Sequence, residues 1–204
     1  MPNWIKFPLV LTIICCISAG GLTMLYKLTL PVKQSLAATE TELALKWILP
    51  SAEEFTKIND KASPYYIAKN KNNKVIGYAI TDEANGYAGP IKVMIGVDPL
   101  FKIIGTKVLY QNETPGLGDK IVEVISNKTW GTVIKGNSSE ETNLKPHFQV
   151  QFEGKQTPVK LKQDGGEIEA ITGATISSRA FVTAINNGVG KLKELLSSKS
   201  SDSK

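Results

Sequence analysis

Residues 7–26 (FPLVLTIICCISAGGLTMLY) carry no charged side chain, and Lys6 and Lys27 bound them. At about 1.5 Å rise per residue, roughly twenty apolar residues in a helix cross a hydrocarbon core of about 30 Å. No other stretch of the chain constrains the fold as strongly. The rival reading is a cleaved secretory signal, whose apolar stretch is shorter and ends close to a small-residue cleavage site. The nearest such site here, Ser35-Leu36-Ala37, lies about ten residues too far downstream. A retained transmembrane helix over residues 7–27, preceded by a short N-terminus at 1–6, is therefore the expectation, with the lipid bilayer as a partner. Lysines flank the run on both sides, Lys6 before it and Lys27 and Lys33 after it, so positive charge leaves its direction open.

Cys15 and Cys16 both lie in the apolar run and no other cysteine exists. The rest of the chain thus has no thiolates for an iron–sulfur cluster, a Cys-ligated zinc or a c-type haem. His147 is the single histidine, which argues against a His-rich metal site and against His-based catalytic machinery. No metal ligand and no catalytic residue is assigned. The net charge is +5, but the lysines are scattered and no basic block is interleaved with aromatics. That pattern describes a solvated surface and not a nucleic-acid interface.

Residues 28–62 read as a helical linker: a helix over 35–49 stopped by Pro50, then a second helix start at Ser51 with Glu53 and Glu54 in its first turn. A polar turn at 69–74 precedes strands at 74–81, 91–97 and 101–110, the last two joined as a hairpin through Asp98-Pro99. A short helix is expected at 119–126, a polar loop at 137–143, strands at 148–152 and 158–161, and a turn at Gly165-Gly166. From Phe181 the apolar residues Ala184, Ile185, Val189, Leu192, Leu195 and Leu196 follow at the three-and-four spacing of one helix face. The tail at 198–204 is expected to be disordered. This order predicts an α+β domain over residues 63–197, an antiparallel sheet with packed helices, behind one transmembrane helix.

Two short stretches carry chemistry. In the first, Glu169-Ala-Ile-Thr172-Gly173-Ala174-Thr175-Ile-Ser177-Ser178-Arg179 opens the final helix. Its hydroxyl side chains are N-cap signals, since their oxygens accept first-turn N–H groups. The same N–H groups and the helix dipole also make a seat for a phosphate, and Gly173 and Ala174 leave the backbone open to a ligand. Both readings stand on the residues alone. In the second, Glu113-Thr114-Pro115-Gly116-Leu117-Gly118 follows a strand, and its proline and glycines define a turn that a flat ligand can approach. It lacks the spacing of a nucleotide phosphate loop.

Thr172-Gly173-Ala174-Thr175 resembles the flavinylation motif of the FMN-binding domain found in the G subunit of Rnf complexes and the C subunit of sodium-translocating NADH:quinone reductases. Glu169 stands where that motif has Asp. The loop from Glu113 to Gly118 is similar to a second signature of the same domain, and Gly86-Tyr87-Ala88-Gly89-Pro90-Ile91, Phe152-Glu153-Gly154-Lys155 and Asp164-Gly165-Gly166 are similar to three more. Asp119-Lys120-Ile121 after the loop resembles the Rnf form. The resemblance implies FMN joined through its phosphate to the Thr175 hydroxyl. It implies contacts from Glu113, Thr114, Gly116, Leu117, Gly118, Glu169, Thr172, Gly173 and Ala174, with Lys155 or Arg179 as the cation for the phosphate. It also implies a cytoplasmic N-terminus, an extracytoplasmic domain in the cell (inner) membrane, and a flavin transferase that uses FAD. The function implied is that of a non-catalytic electron carrier among the other membrane subunits of an Rnf-type complex, which couples electron transfer between ferredoxin and NAD to Na⁺ or H⁺ translocation. The C subunit of the quinone reductase, a membrane-tethered FMN sensor outside any pump, and a structural domain in which Thr175 only caps a helix are the alternatives.

Overall fold

The computed structural model describes residues 3–60, 63–124 and 145–202. The chain divides into two compact units, Met1–Glu42 and Leu43–Lys204. The first is helical throughout its described residues, all of which belong to α1 (Asn3–Ile48). Within α1, the segment Lys6–Leu30 has a mean hydropathy of 2.1 and no buried residue, and it is long and apolar enough to cross a membrane. Its threonine hydroxyls are satisfied along the helix itself: those of Thr12 and Thr23 donate to the carbonyls of Pro8 and Ala19, each at 2.8 Å, and that of Thr29 to the carbonyl of Leu25 at 3.0 Å. Such internal pairing suits a segment without water.

The second unit is built on five antiparallel strands, β1 (Glu54–Ile58), β2 (Tyr65–Lys69), β3 (Val75–Asn85), β4 (Pro90–Val97) and β5 (Ile103–Tyr110). They form one sheet in sequence order, each strand paired with the next. Successive side chains on a strand point to opposite faces. One face carries Ile80, Val93 and Ile95 and packs against α3 (Thr175–Asp202) through Phe181, Ile185, Val189 and Leu192. All the apolar helix positions expected from Phe181 to Leu195 are buried. A Cβ at Gly188 would lie 2.7 Å from the Ile95 side chain, so a glycine is what lets α3 lie this close to the sheet. Lys191 of α3 adds a hydrogen-bonded ion pair, at 2.8 Å, to the largely buried Asp82 of β3.

The opposite face carries Ala68, Ala79 and Met94, and it is covered by Ala44, Leu45, Ile48 and Leu49 at the end of α1. Gly77, Gly96 and Gly105 lie beneath that last turn. A Cβ at Gly96 would meet Ile48 and Leu49 side-chain atoms at 3.3 Å, and one at Gly105 would meet the Ile48 carbonyl at 3.3 Å. Gly96 pairs with Gly105 and with Ala79 across the strands, so small residues line a lane into which Ile48 and Leu49 settle. Pro50 ends the helix at the edge of that lane, as its missing N–H requires.

Several local expectations are corrected. Residues 51–62, read as the second half of a helical linker, instead hold β1, because Phe55, Thr56 and Ile58 find a partner strand in β2. β2 has no counterpart in the sequence reading. Residues 148–152, read as a strand, form α2 (His147–Val150) and the turn after it. Phe148 and Phe152 are four apart, a spacing that both periods allow. The helical turn brings both rings onto Phe181, with centroids 5.4 and 5.1 Å from it. Residues 158–161 form a single parallel bridge, Leu161 to Ile168, because the side chain of Asn186 occupies both the N–H and the carbonyl of Val159 at 2.9 Å. The short helix expected at 119–126 is one 3-10 turn, Gly118–Ile121, and the loop expected at 137–143 lies outside the described residues. The tail expected to be disordered continues α3 to Asp202, with the Ser198 hydroxyl bonded back to the Leu195 carbonyl at 3.0 Å.

A Cβ at Gly77 would stand 2.6 Å from the Val97 carbonyl oxygen, a backbone atom with no freedom to move aside. Gly77→Ala should therefore destabilise the folded domain by about 1–3 kcal/mol, as overpacking does. The check is the urea unfolding midpoint of the purified chain, followed by circular dichroism.

Candidate functional site

Thr114, Pro115, Gly116 and Leu117 make a tight turn in which the Leu117 N–H donates to the Thr114 carbonyl at 3.1 Å. Proline in the second position presets φ, and Gly116 in the third adopts a φ of +75°, the requirement of a type II turn. The turn presents Leu117, 44% exposed, toward the start of α3. Gly173 there has a φ of +78°, and a Cβ on it would be 3.2 Å from the Leu117 side chain.

The start of α3 is assembled without a conventional cap. The Ala174 carbonyl accepts the first helical bond from the Ser178 N–H at 3.0 Å, so the capping position holds a residue with no side-chain acceptor. The Ser178 hydroxyl instead accepts the Ile171 N–H and donates to the Ala174 carbonyl, both at 3.0 Å, which fixes the loop leading in. Ser177 donates its hydroxyl to Glu113 Oε2 at 2.7 Å. Among the described residues no acceptor meets the backbone N–H of Thr175, Ile176 or Ser177, and no partner meets the Thr175 hydroxyl. Thr175 is thus a helix residue with a free, half-buried hydroxyl, not a cap.

Glu113 ties the two stretches to a third. Its Oε1 accepts the N–H of Tyr87 at 2.9 Å and of Ala88 at 3.3 Å, while Oε2 holds Ser177. These segments enclose a cavity of ≈580 Å³ lined by Tyr87, Glu113, Thr114, Leu117, Gly118 and residues 173–177. Its walls are apolar at Leu117, Ile176 and Tyr87, and its polar end is the free first turn of α3. An uncapped helix start attracts an anion, and the exposed Gly173 leaves backbone accessible beside it.

The structure brings together Glu113, Thr114, Leu117, Gly118, Gly173, Ala174 and Thr175 from the residues expected at the site. Gly116 shapes the turn without lining the cavity. Glu169 and Thr172 face a neighbouring cleft of ≈290 Å³ with Lys120, Glu123, His147 and Gln151. Glu169 is paired there with Lys162, whose ammonium hydrogen bond holds its carboxyl below the usual range. Lys155 is committed to Glu167 and lies along a third cleft. Arg179 grips Asp164 with two bonds, Nε to Oδ2 at 3.0 Å and Nη2 to Oδ1 at 2.7 Å. Neither expected cation lines the cavity, whereas the free first turn of α3 does. Tyr87, Ile176 and Ser177 are lining residues that the expected set omits. Tyr87 enters the sequence reading only as part of the Gly86 to Ile91 stretch.

The cavity joins apolar walls to an uncapped helix start, a combination that suits an elongated ligand with an anionic terminus. The profile of the FMN-binding domain family matches residues 86–190, and the chain belongs to that family. The G subunit of the proton-translocating ferredoxin:NAD(+) oxidoreductase complex of Clostridium ljungdahlii is 32% identical over 183 residues, covering 88% of this chain and 86% of the relative. The G subunit of the ion-translocating oxidoreductase complex of Methanosarcina acetivorans is 30% identical over 196 residues, covering 90% and 92%. A solved structure, the C subunit of the Na(+)-translocating NADH-quinone reductase of Parabacteroides distasonis, is 21% identical over 70% of this chain and 77% of that one, with a TM-score of 0.46. The residues present fit FMN: unpaired amides for the phosphate, small residues beside them, and apolar walls for the ring.

The Arg179 bonds hold the Asp164 carboxyl below the range of an ordinary aspartate. Because the folded-state value is the lower one, the stability from this pair is present above the unfolded pKa and is lost as pH falls through the folded pKa. An NMR titration should therefore place the Asp164 midpoint below that of an unperturbed aspartate. Arg179→Ala should move it up, toward the ordinary value.

Proposed function

We propose that this chain is the membrane-anchored flavoprotein subunit of an Rnf-type ion-translocating oxidoreductase complex, with FMN joined to Thr175 by a phosphoester. The observation that carries the reading is the Thr175 hydroxyl, free of any partner among the described residues, at the polar end of a cavity in an FMN-binding domain. Bound FMN exchanges one or two electrons, the chemistry that a relay between redox centres needs. The chain contributes position. The amides of Thr175, Ile176 and Ser177 and the dipole of α3 hold the phosphate charge. Gly173 and Ala174 would leave room for the ribityl chain, Leu117 would offer an apolar surface to the ring, and Thr114 would bond its polar edge. Gly116 and Gly118 keep the loop close to it.

In the loading reaction, the Thr175 hydroxyl oxygen forms a bond to the FMN phosphorus of FAD. The pyrophosphate link breaks, AMP leaves, and the hydroxyl proton passes to solvent. A separate flavin transferase supplies that catalysis. The partners are the other membrane subunits of the complex. Together they move electrons between ferredoxin and NAD, as the name of the Clostridium relative describes, and couple this to Na⁺ or H⁺ movement. The segment Lys6–Leu30 anchors the chain in the cell membrane with its N-terminus cytoplasmic, and the flavin domain stands outside.

Thr175→Ala should abolish covalent flavin, read as loss of the fluorescent band after denaturing electrophoresis of chain produced with a flavin transferase. Since Thr175 caps nothing, the same substitution should change stability by less than about 0.5 kcal/mol. A fluorescent Thr175→Ala band would refute the attachment residue.

A further inference from the structure

Glu113 opens the loop that faces the cavity, yet its side chain is turned inward. It is 6% exposed, and both carboxylate oxygens are occupied by protein donors: Tyr87 N–H at 2.9 Å and Ala88 N–H at 3.3 Å on Oε1, and Ser177 Oγ–H at 2.7 Å on Oε2. Two glycines seal it on either side. A Cβ at Gly86 would be 2.1 Å from Oε1, and one at Gly118 would be 2.6 Å from Oε2 and 2.7 Å from Ser177 Oγ. Both carboxylate oxygens are thus committed to protein donors on the side away from solvent.

We propose that Glu113 is a positioning residue and not a cofactor contact: its buried carboxylate pins the Tyr87–Ala88 backbone and the Ser177 turn of α3 to the 113–118 loop, and so sets the width of the flavin cradle. This rests on the flavin reading of the cavity. The three segments come from distant parts of the chain, and each carries a cavity wall: Tyr87 on one, Leu117 on another, Thr175 and Ile176 on the third. Two of the three bonds run to backbone amides, so no rearrangement of side chains replaces them. Ser177 is two residues past Thr175, which places the clamp within one turn of the proposed attachment oxygen.

The requirement is for acceptor geometry, not for charge. In Glu113→Gln the amide oxygen still accepts both backbone N–H groups, and the NH₂ donates to Ser177 Oγ, whose hydroxyl can serve as acceptor. Glu113→Ala removes all three bonds. Misplacement of a reacting group by about 1 Å costs roughly a hundredfold in rate, so the two variants should separate widely.

The test uses the full chain loaded by a flavin transferase with FAD. The rate of covalent flavin incorporation is measured beside the hydrogen exchange of the Tyr87 and Ala88 amides. Glu113→Gln should load at close to the parent rate with both amides protected. Glu113→Ala should lose that protection and load roughly a hundredfold more slowly. If Glu113→Ala does not fold, Ser177→Ala decides, because it cuts only the tie to α3. It should slow loading while the Tyr87 and Ala88 amides stay protected. Parent-rate loading of a folded Glu113→Ala, or of Ser177→Ala where that variant decides, would overturn the proposal. So would slow loading of Glu113→Gln with its amides still protected, since that would make the charge itself a ligand contact. Failure of the flavin reading is distinguishable: the parent chain would then carry no flavin at all, while the exchange rates would still report whether Glu113 clamps the loop.

Discussion

A sheet that is apolar on both faces has to be covered twice, and this chain meets that requirement with helices from its two ends. α3 covers the face of Ile80, Val93 and Ile95, and the last turns of α1 cover the face of Ala68, Ala79 and Met94. Each cover depends on glycine at the closest approach, Gly188 on the helix side of one and Gly96 and Gly105 on the sheet side of the other. Burial at roughly 25 cal/mol per Å² of apolar surface favours both contacts, provided the elements come within van der Waals reach. A single Cβ in the wrong place opens a gap along a whole helix face.

The site inherits its order from this packing. α3 is held by Phe181 and the residues that follow, and its first turn keeps three amides and one hydroxyl without a partner among the described residues. The loop before β4 and the loop after β5 meet it there, fastened through the buried carboxylate of Glu113. Apolar residues from Phe181 onward hold the helix, while the amides of Thr175, Ile176 and Ser177 meet no acceptor among the described residues. An uncapped helix start is a cost that a domain selected for stability alone would remove with Ser or Asp at position 174.

Much of this is legible in the residues. The α3 stripe, the β4–β5 hairpin and the two motifs follow from periodicity, turn chemistry and resemblance, and the structure sets both motifs around one cavity. β1 is hidden because Glu53 and Glu54 mimic a helix first turn, while the strand forms only when β2 is beside it. Phe148 and Phe152 mislead because a separation of four satisfies the strand period as well as the helical one. Lys155, Glu169, Thr172 and Arg179 lie near the site's motifs in sequence, yet ion pairs and backbone direction turn them to other faces. Which partner a charged side chain chooses is a three-dimensional fact that no linear spacing encodes.

The seat of Ile48 and Leu49 among the sheet glycines bears on how the chain can be divided. Hydropathy falls after Leu30, and a cut anywhere before the first strand looks harmless on that criterion. The border defined by packing lies at Leu43 instead. A water-soluble version of the domain must carry Ala44 to Leu49 with it, or one side of the sheet is left as a bare greasy trough open to self-association. The final turns of α1 are therefore core of the domain and not linker.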